Sequence, residues 1–168
     1  NRNFCEKILF SDEATFSTNG VVSSQNCRYW AQVNPNFKIN CKNQRYNKIN
    51  VWCGIFEDKI IGPYFIATNF NQYEYLNMLN NFLLPSLDDI DLDTRREMYY
   101  QHDGCPAHAT LLIREWLDLH FPGKWIGRFG PVHWPARSPD LTPLDFYLWG
   151  YLKQKVYSRP FGNNLEIL

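Results

Sequence analysis

The chain has 168 residues, 45% hydrophobic and 20% charged, which is typical of one globular domain and excludes disordered, collagen-like and disulfide-miniprotein classes. Basic and acidic residues number 17 each, and this zero balance argues against non-specific nucleic-acid binding by the domain as a whole. The longest apolar run, residues 60–67, is far shorter than the ~20 residues that span a bilayer. The five cysteines form no C-x-x-C pair, which favours a reduced, intracellular protein.

The first half of the chain predicts strands. Several short runs are apolar or rich in β-branched and aromatic residues. They are residues 7–11 (KILFS), 27–33 (the weakest), 49–56 (INVWCGIF) and 60–67. The last two read as a hairpin, and Pro63 within the second run indicates an edge strand or a bulge.

The second half alternates helices and strands. Asn71-x-x-Glu74 resembles a capping box and opens a helix that we expect to end at Pro85. We then predict a strand at 97–101 and a helix after Pro106 with Leu112, Trp116 and Leu119 on one face. A short strand near Trp125 follows. The last helix is predicted from Thr142-Pro143, with Leu144, Leu148 and Leu152 on one face. Hairpin strands followed by this alternation predict an α/β domain with a mixed sheet covered by helices.

Residues 14–50 form a basic segment with no acidic residue. Aromatic residues interleave with its basic side chains, a mixture that suits a phosphate backbone and stacked bases. The same composition also fits a solvated, Asn-rich excursion between strands. The candidate phosphate contacts are Arg28, Lys38, Lys42, Arg45 and Lys48.

Three aspartates occupy positions from which they can converge. Asp12 follows the first predicted strand, Asp103 follows a later one, and Asp145 lies in the first turn of the last helix. Oxygen ligands suit Mg²⁺, and a carboxylate cluster can hold two ions about 3.5–4 Å apart for phosphoryl displacement. Repulsion among close carboxylates also favours a bound cation.

Ordinary structural roles are open for each of these acids. Asp12 could cap a strand end, with Glu13 competing for its role. Asp103-Gly104 is a common turn sequence. Thr142 and Asp145 match a capping box. Residue types and spacing alone leave both interpretations standing.

Longer motifs carry a family resemblance. HDGCPAH (102–108), WPARSPDLTPLDFYLWG (134–150) and LKQKVY (152–157) resemble the catalytic domain of mariner-like transposases, and FSDEATF (10–16) and INVWCGI (49–55) precede them in the order of that family. The pairing of HDGxPAH with SPDLxPxD is specific, whereas either motif alone would be a weaker signal.

The resemblance implies a ribonuclease H-like fold across residues 1–168, as a fragment that lacks the family's DNA-recognition region. It implies that Asp12, Asp103 and Asp145 are the catalytic residues and bind Mg²⁺ or Mn²⁺, as two ions. Such enzymes cut DNA at element ends and join the 3′ hydroxyl to target DNA. The resemblance further implies double-stranded DNA as the partner, a homodimer of the full-length protein and a nuclear location. The basic segment falls where the family carries a loop that contacts DNA or a partner subunit.

The chain also departs from the family pattern. The gap between Asp103 and Asp145 is longer than in the commoner branches, and we place the extra residues near 121–130. A catalytically inactive, host-adopted nucleic-acid-binding relative is one alternative. A ribonuclease acting on RNA–DNA hybrids is another, and it would use Glu13 or Glu115 as a fourth carboxylate. His102 and His108 match no standard zinc spacing, so we expect them to orient the loop around Asp103.

Overall fold

A computed structural model describes residues 3–17, 48–66, 69–135 and 138–158. The strands are β1 (Ile8–Ser17), β2 (Lys48–Phe56), β3 (Lys59–Ile66), β4 (Tyr99–Gln101), β5 (Trp125–Gly127) and β6 (Val132–His133). The α-helices are α1 (Gln72–Met78), α2 (Leu84–Ser86), α3 (Leu92–Glu97), α4 (Leu111–His120) and α5 (Trp149–Tyr157). Short 3₁₀ helices lie at Phe4–Lys7 and Pro139–Leu141, and π-helical segments at Leu79–Leu83 and Leu144–Leu148. The weak strand candidate at 27–33 lies outside the described residues.

The six strands form one mixed sheet in the order β3-β2-β1-β4-β5-β6. β1, β2 and β3 pair antiparallel, whereas β1, β4, β5 and β6 pair parallel. Antiparallel neighbours can be joined by short turns, whereas parallel neighbours usually need crossover connections. The connections from β1 to β4 and from β4 to β5 contain helices, whereas residues 128–131 join β5 to the short strand β6 without one. The predicted α/β class with a mixed sheet is confirmed. Among the described residues, no helix is both long and apolar enough to cross a membrane.

Each face of the sheet has its own apolar core, because successive side chains of a strand point to opposite faces. Leu9 and Trp52 pack toward α1 and α4, in a core with Tyr75, Leu79 and Leu117. On the other face, side chains of β1 and β2 pack against the last helix. That second core contains Ala14, Phe16, Val51, Cys53, Leu144, Leu148 and Trp149.

The helix predicted from Asn71 begins as expected and runs slightly further. The Asn71 side chain accepts hydrogen bonds from the backbone N–H groups of Tyr73 and Glu74, at 2.9 and 3.1 Å. The helix continues through the π-helical segment and α2 to Ser86, past the predicted end at Pro85. Proline is tolerated there because it occupies the first turn of α2.

Four details of the prediction are wrong. Asp12 lies inside β1, which runs on to Ser17 because its apolar alternation continues through Ala14 and Phe16. Glu97 ends α3 instead of opening a strand. Leu119 is 75% exposed, since the buried face of α4 is formed by Ile113, Trp116 and Leu117. The short edge strand β6 had no sequence signal.

Candidate active site

Asp12 lies on the face of β1 that packs against the last helix, in the same row as Phe16. The indole Nε1–H of Trp149 donates a hydrogen bond to Asp12 Oδ2 at 2.8 Å. Trp149 is about one helical turn beyond Asp145, so this bond fixes the first part of the last helix against β1. The bond brings Asp145 next to Asp12.

Asp12 and Asp145 lie close enough for each carboxyl group to change the ionisation of the other. Burial, and then the charges of Glu13 and Asp145, raise the pKa of Asp12 from 3.8 to about 8. Burial and the charge of Asp103 also raise the pKa of Asp145. The pair therefore retains a proton at pH values where an exposed aspartate has lost it.

Asp103 is the second residue after β4, and one of its carboxylate oxygens accepts two hydrogen bonds. Asp103 Oδ1 accepts hydrogen bonds from the backbone N–H of Cys105 at 2.9 Å and from Nδ1 of His108 at 2.8 Å. Burial raises the pKa of Asp103, but the hydrogen bond and charge of His108 outweigh it and leave this pKa below its usual value. Asp103 is thus the acid of the three that is ionised most readily.

His108 bridges two carboxylates inside the protein. Its side chain is 2% exposed, with Nδ1 on Asp103 and Nε2 3.3 Å from Oε1 of Glu13. Burial lowers the pKa of His108, but the charge of Glu13 and the bond to Asp103 raise it well above 6.5. The imidazolium form therefore donates a hydrogen bond from Nδ1 to Asp103, whereas Nε2 faces Glu13 as an ion pair without a hydrogen bond.

Neither candidate for a fourth ribonuclease carboxylate joins the three aspartates. Glu13 projects from the face of β1 opposite Asp12 and is engaged by His108. Glu115 is exposed on α4. The expected capping-box role of Asp145 is also absent from the described contacts, since Thr142 Oγ1 is buried without a hydrogen-bond partner among the described residues.

A layer of buried rings fixes His108. His102 stacks on it with centroids 4.9 Å apart, and Tyr75 lies against it at 4.2 Å. The Tyr75 hydroxyl is 2.7 Å from the Tyr100 hydroxyl and 3.3 Å from His102 Nδ1. A side chain on Gly127 would place Cβ 2.5 Å from His102 Nε2. The expectation that both histidines support the loop around Asp103 is consistent with this packing.

The carboxylate oxygens of the three aspartates do not all lie within 4.8 Å of one another. Among the described residues, Asp103, Cys105 and His108 have ligand atoms that do meet that spacing. Besides burial, the charges of Asp145 and of Asp103 raise the pKa of Asp12, while Asp103 itself is hydrogen-bonded to His108.

The predicted phosphate contacts fall mostly beyond what the structure describes. Arg28, Lys38, Lys42 and Arg45 lie outside the described residues. Lys48 is exposed at the start of β2, opposite Ser17. Another cation near the acids, Lys153, was not predicted. Its ammonium group lies 5.7 Å from the centroid of the Phe16 ring and interacts electrostatically with Asp145 and Asp12. Its position eight residues after Asp145, on a predicted helix, was the available signal.

The chain is similar in sequence to known transposases. No protein-family model matches the chain. It is 28% identical over 155 residues to the Tc3 transposase of Caenorhabditis elegans, covering 91% of this chain and 43% of that protein. It is 24% identical over 151 residues to the Tcb1 transposase of Caenorhabditis briggsae, covering 88% and 51% respectively. The chain is homologous to these transposases.

Solved structures give the fold. The catalytic domain of Mos1 mariner transposase matches with a TM-score of 0.65 at 19% identity, covering 97% of this chain and 66% of that one. A Mos1 paired-end complex with the left transposon end matches with a TM-score of 0.64 at 20% identity, covering 91% and 43%. The predicted ribonuclease H-like fold and the resemblance to mariner-like transposases are confirmed. The chain spans about half the length of the curated transposases it matches.

Proposed function

We propose that this domain cuts DNA phosphodiester bonds in a metal-dependent reaction and joins the resulting 3′ hydroxyl to target DNA. The observation that carries the proposal is that Asp12, Asp103 and Asp145, from a central strand, a neighbouring strand end and the last helix, lie close enough to shift one another's ionisation. Homology to transposases supports the same chemistry.

The donor set fits a hard divalent cation. Asp12 has its pKa raised to about 8 by burial and by acidic neighbours, so a cation there would replace a proton that crowding forces the site to retain. We assign Asp12, Asp103 and Asp145 as the ligands of Mg²⁺ or Mn²⁺, in a site for two ions. Bound ions would activate the attacking hydroxyl and stabilise the leaving oxygen. Structures of the Mos1 catalytic domain with Mn and with Mg are known.

The surrounding side chains orient the acids. Trp149 holds Oδ2 of Asp12, and His108 holds Oδ1 of Asp103. Because the buried His108 ring also forms an ion pair with Glu13, rotation of the Asp103 carboxylate would break a charge-assisted hydrogen bond to a ring held on its other side. We assign His108, Glu13 and Trp149 as positioning residues.

The wider assignments are part of the same proposal. The DNA partner is double-stranded, as transposon ends and target, and Lys48 with the basic segment contacts its backbone. The full-length protein acts as a homodimer in the nucleus. The Mos1 structures include transposase bound to a transposon end, which supports the choice of partner.

The test is nicking of supercoiled plasmid by the purified chain with Mn²⁺. We expect Asp103→Asn to abolish nicking, since the amide loses the ligand charge, while Asp140→Asn, an exposed neighbour in the same motif region, retains it. Equal nicking by parent and Asp103→Asn would refute the assignment. Cleavage of an RNA–DNA hybrid in preference to DNA would favour the ribonuclease alternative, and a folded parent that nicks nothing with or without added duplex would favour the inactive one.

A further inference from the structure

Two arginines lie beside Asp103 with no acidic partner. The guanidinium carbons of Arg114 and Arg128 are 5.0 and 5.2 Å from the centroid of the Phe129 ring. In the described part of the chain, no carboxylate oxygen lies within 4.0 Å of either guanidinium. The Nε of Arg114 is buried and has no hydrogen-bond partner among those residues. Unpaired cations held this close together are costly unless an anion joins them.

A tight turn after β5 positions the backbone of Arg128, whereas Arg114 lies on α4. The backbone N–H groups of Gly130 and Trp134 both donate to the carbonyl of Gly127, at 3.2 and 3.0 Å. A side chain at Gly130 would place Cβ 2.9 Å from Trp125, so the turn must keep glycine there. The turn and α4 thus bring the two arginines to the Phe129 ring from different elements.

The arginines border the candidate active site. Arg114, Arg128 and Phe129 line a small depression together with Asp103 and His108. Arg128 also lines an adjoining groove of 590 Å³ that contains Asp103 and Trp134. A strand that lies in this groove with a phosphate beside Asp103 therefore passes Arg128, and Arg114 lies against the same Phe129 ring.

We propose that Arg114 and Arg128, stacked on Phe129, bind backbone phosphates of the DNA strand that enters the groove beside Asp103. A guanidinium that uses its face on an aromatic ring keeps its in-plane N–H donors for a phosphate. Bidentate Arg–phosphate bonds also give geometry as well as charge. The proposal deepens the proposed function, on which it rests, and lies outside the basic segment at 14–50.

The test is fluorescence anisotropy of a labelled DNA duplex with a 3′ overhang, titrated in EDTA at several KCl concentrations. We expect Arg128→Ala to weaken binding about five- to tenfold and to lower the salt slope by about 1, with Arg128→Lys close to the parent in slope. Phe129→Leu keeps both charges and should weaken binding with the slope unchanged. The matched control is Arg96→Ala, an exposed arginine paired with Asp93 at 3.3 Å.

The outcomes separate this proposal from the proposed function. An Arg128→Ala variant that matches Arg96→Ala in affinity and slope overturns the arginine site, even if the parent nicks plasmid. If Arg128→Ala loses salt-dependent binding that the parent shows, the arginine site is supported. If the same parent never nicks DNA, the catalytic proposal is refuted. Calorimetric titration with Mn²⁺ should give the same affinity in the parent and in Arg128→Ala. A lower Mn²⁺ affinity in Arg128→Ala would mean that the substitution disturbed the aspartates, and it would overturn the assignment of Arg128 to phosphate binding.

Discussion

Replacing Asp12 with asparagine is expected to stabilise the metal-free protein at neutral pH. The carboxyl of Asp12 is largely buried among acidic neighbours, with a pKa of about 8 instead of 3.8. From these two values, keeping this group in the fold at pH 7, where the unfolded chain would ionise it, costs about 4 kcal/mol. Because Asp145 shares the proton, we expect a gain of about 1–3 kcal/mol from the substitution. The asparagine can still accept from Trp149 and can donate to Asp145.

The effect should depend on pH in one direction. Between 3.8 and about 8 the folded chain keeps a proton on Asp12 that the unfolded chain has released. The contribution of this group to stability is therefore fully present below 3.8 and is lost as the pH rises toward 8. The difference between Asp12→Asn and the parent should be near zero at the acidic end of this interval and largest at the alkaline end.

The assay is thermal unfolding in EDTA across this pH interval, repeated with Mn²⁺. For a chain of this size 1 kcal/mol corresponds to about 2–4 °C in Tm. Asp89→Asn, which changes an exposed aspartate, should leave Tm unchanged. Added Mn²⁺ should raise the Tm of the parent and of the control but hardly that of Asp12→Asn. A variant less stable than the parent in EDTA, or a difference independent of pH, would refute the reasoning.

Three further substitutions test the support of the site. Trp149→Phe keeps a ring against Phe16, 6.4 Å away, but loses the hydrogen bond to Asp12. We expect the Mn²⁺ affinity measured by calorimetry to fall several-fold, and the free energy of unfolding in urea to fall by about 1 kcal/mol. Unchanged Mn²⁺ affinity would contradict the positioning role of Trp149. Gly127→Ala should cost about 1–3 kcal/mol in the same assay, because its Cβ would lie 2.5 Å from His102, and a neutral result would show that the histidine ring can move freely. Gly150→Ala has nothing within 4 Å of its Cβ and should stabilise the last helix by up to about 1 kcal/mol.

Strong local signals were enough to predict much of the fold. The β-branched run at 49–56 became β2, the Asn71 cap began α1, and the leucine repeat from Leu144 marked the buried face of the last helix. Errors occurred where local signals were weak or masked by neighbours. Glu97 precedes an aromatic run yet ends a short helix, because Asp91 caps that helix by accepting from the Thr94 N–H.

The residues of the site were predictable, whereas their electrostatics were not. Motifs placed Asp12, Asp103 and Asp145 together in the hypothesis, and the structure places Asp12 within β1 beside the end of β4, which Asp103 follows. Nothing local to residue 108 says that Glu13 and Asp103, far apart in the chain, would hold its ring from both sides. The arginines at 114 and 128 had no signal either, since each looks like an ordinary surface cation until the Phe129 ring brings them together.

By itself the sequence determined the strand and helix periodicities and the α/β class and proposed the three acids as candidates, because these depend on local spacing and on motifs within a few residues. The tertiary structure decided which acid keeps a proton and which is ionised. Asp12 is buried against Asp145, whereas Asp103 is held by the His108 imidazolium. The burial of Asp12 and its contact with Trp149 depend on residues distant in the chain, whereas Asp103 is paired within its own loop. The same residue type therefore acquires opposite pKa shifts within one site.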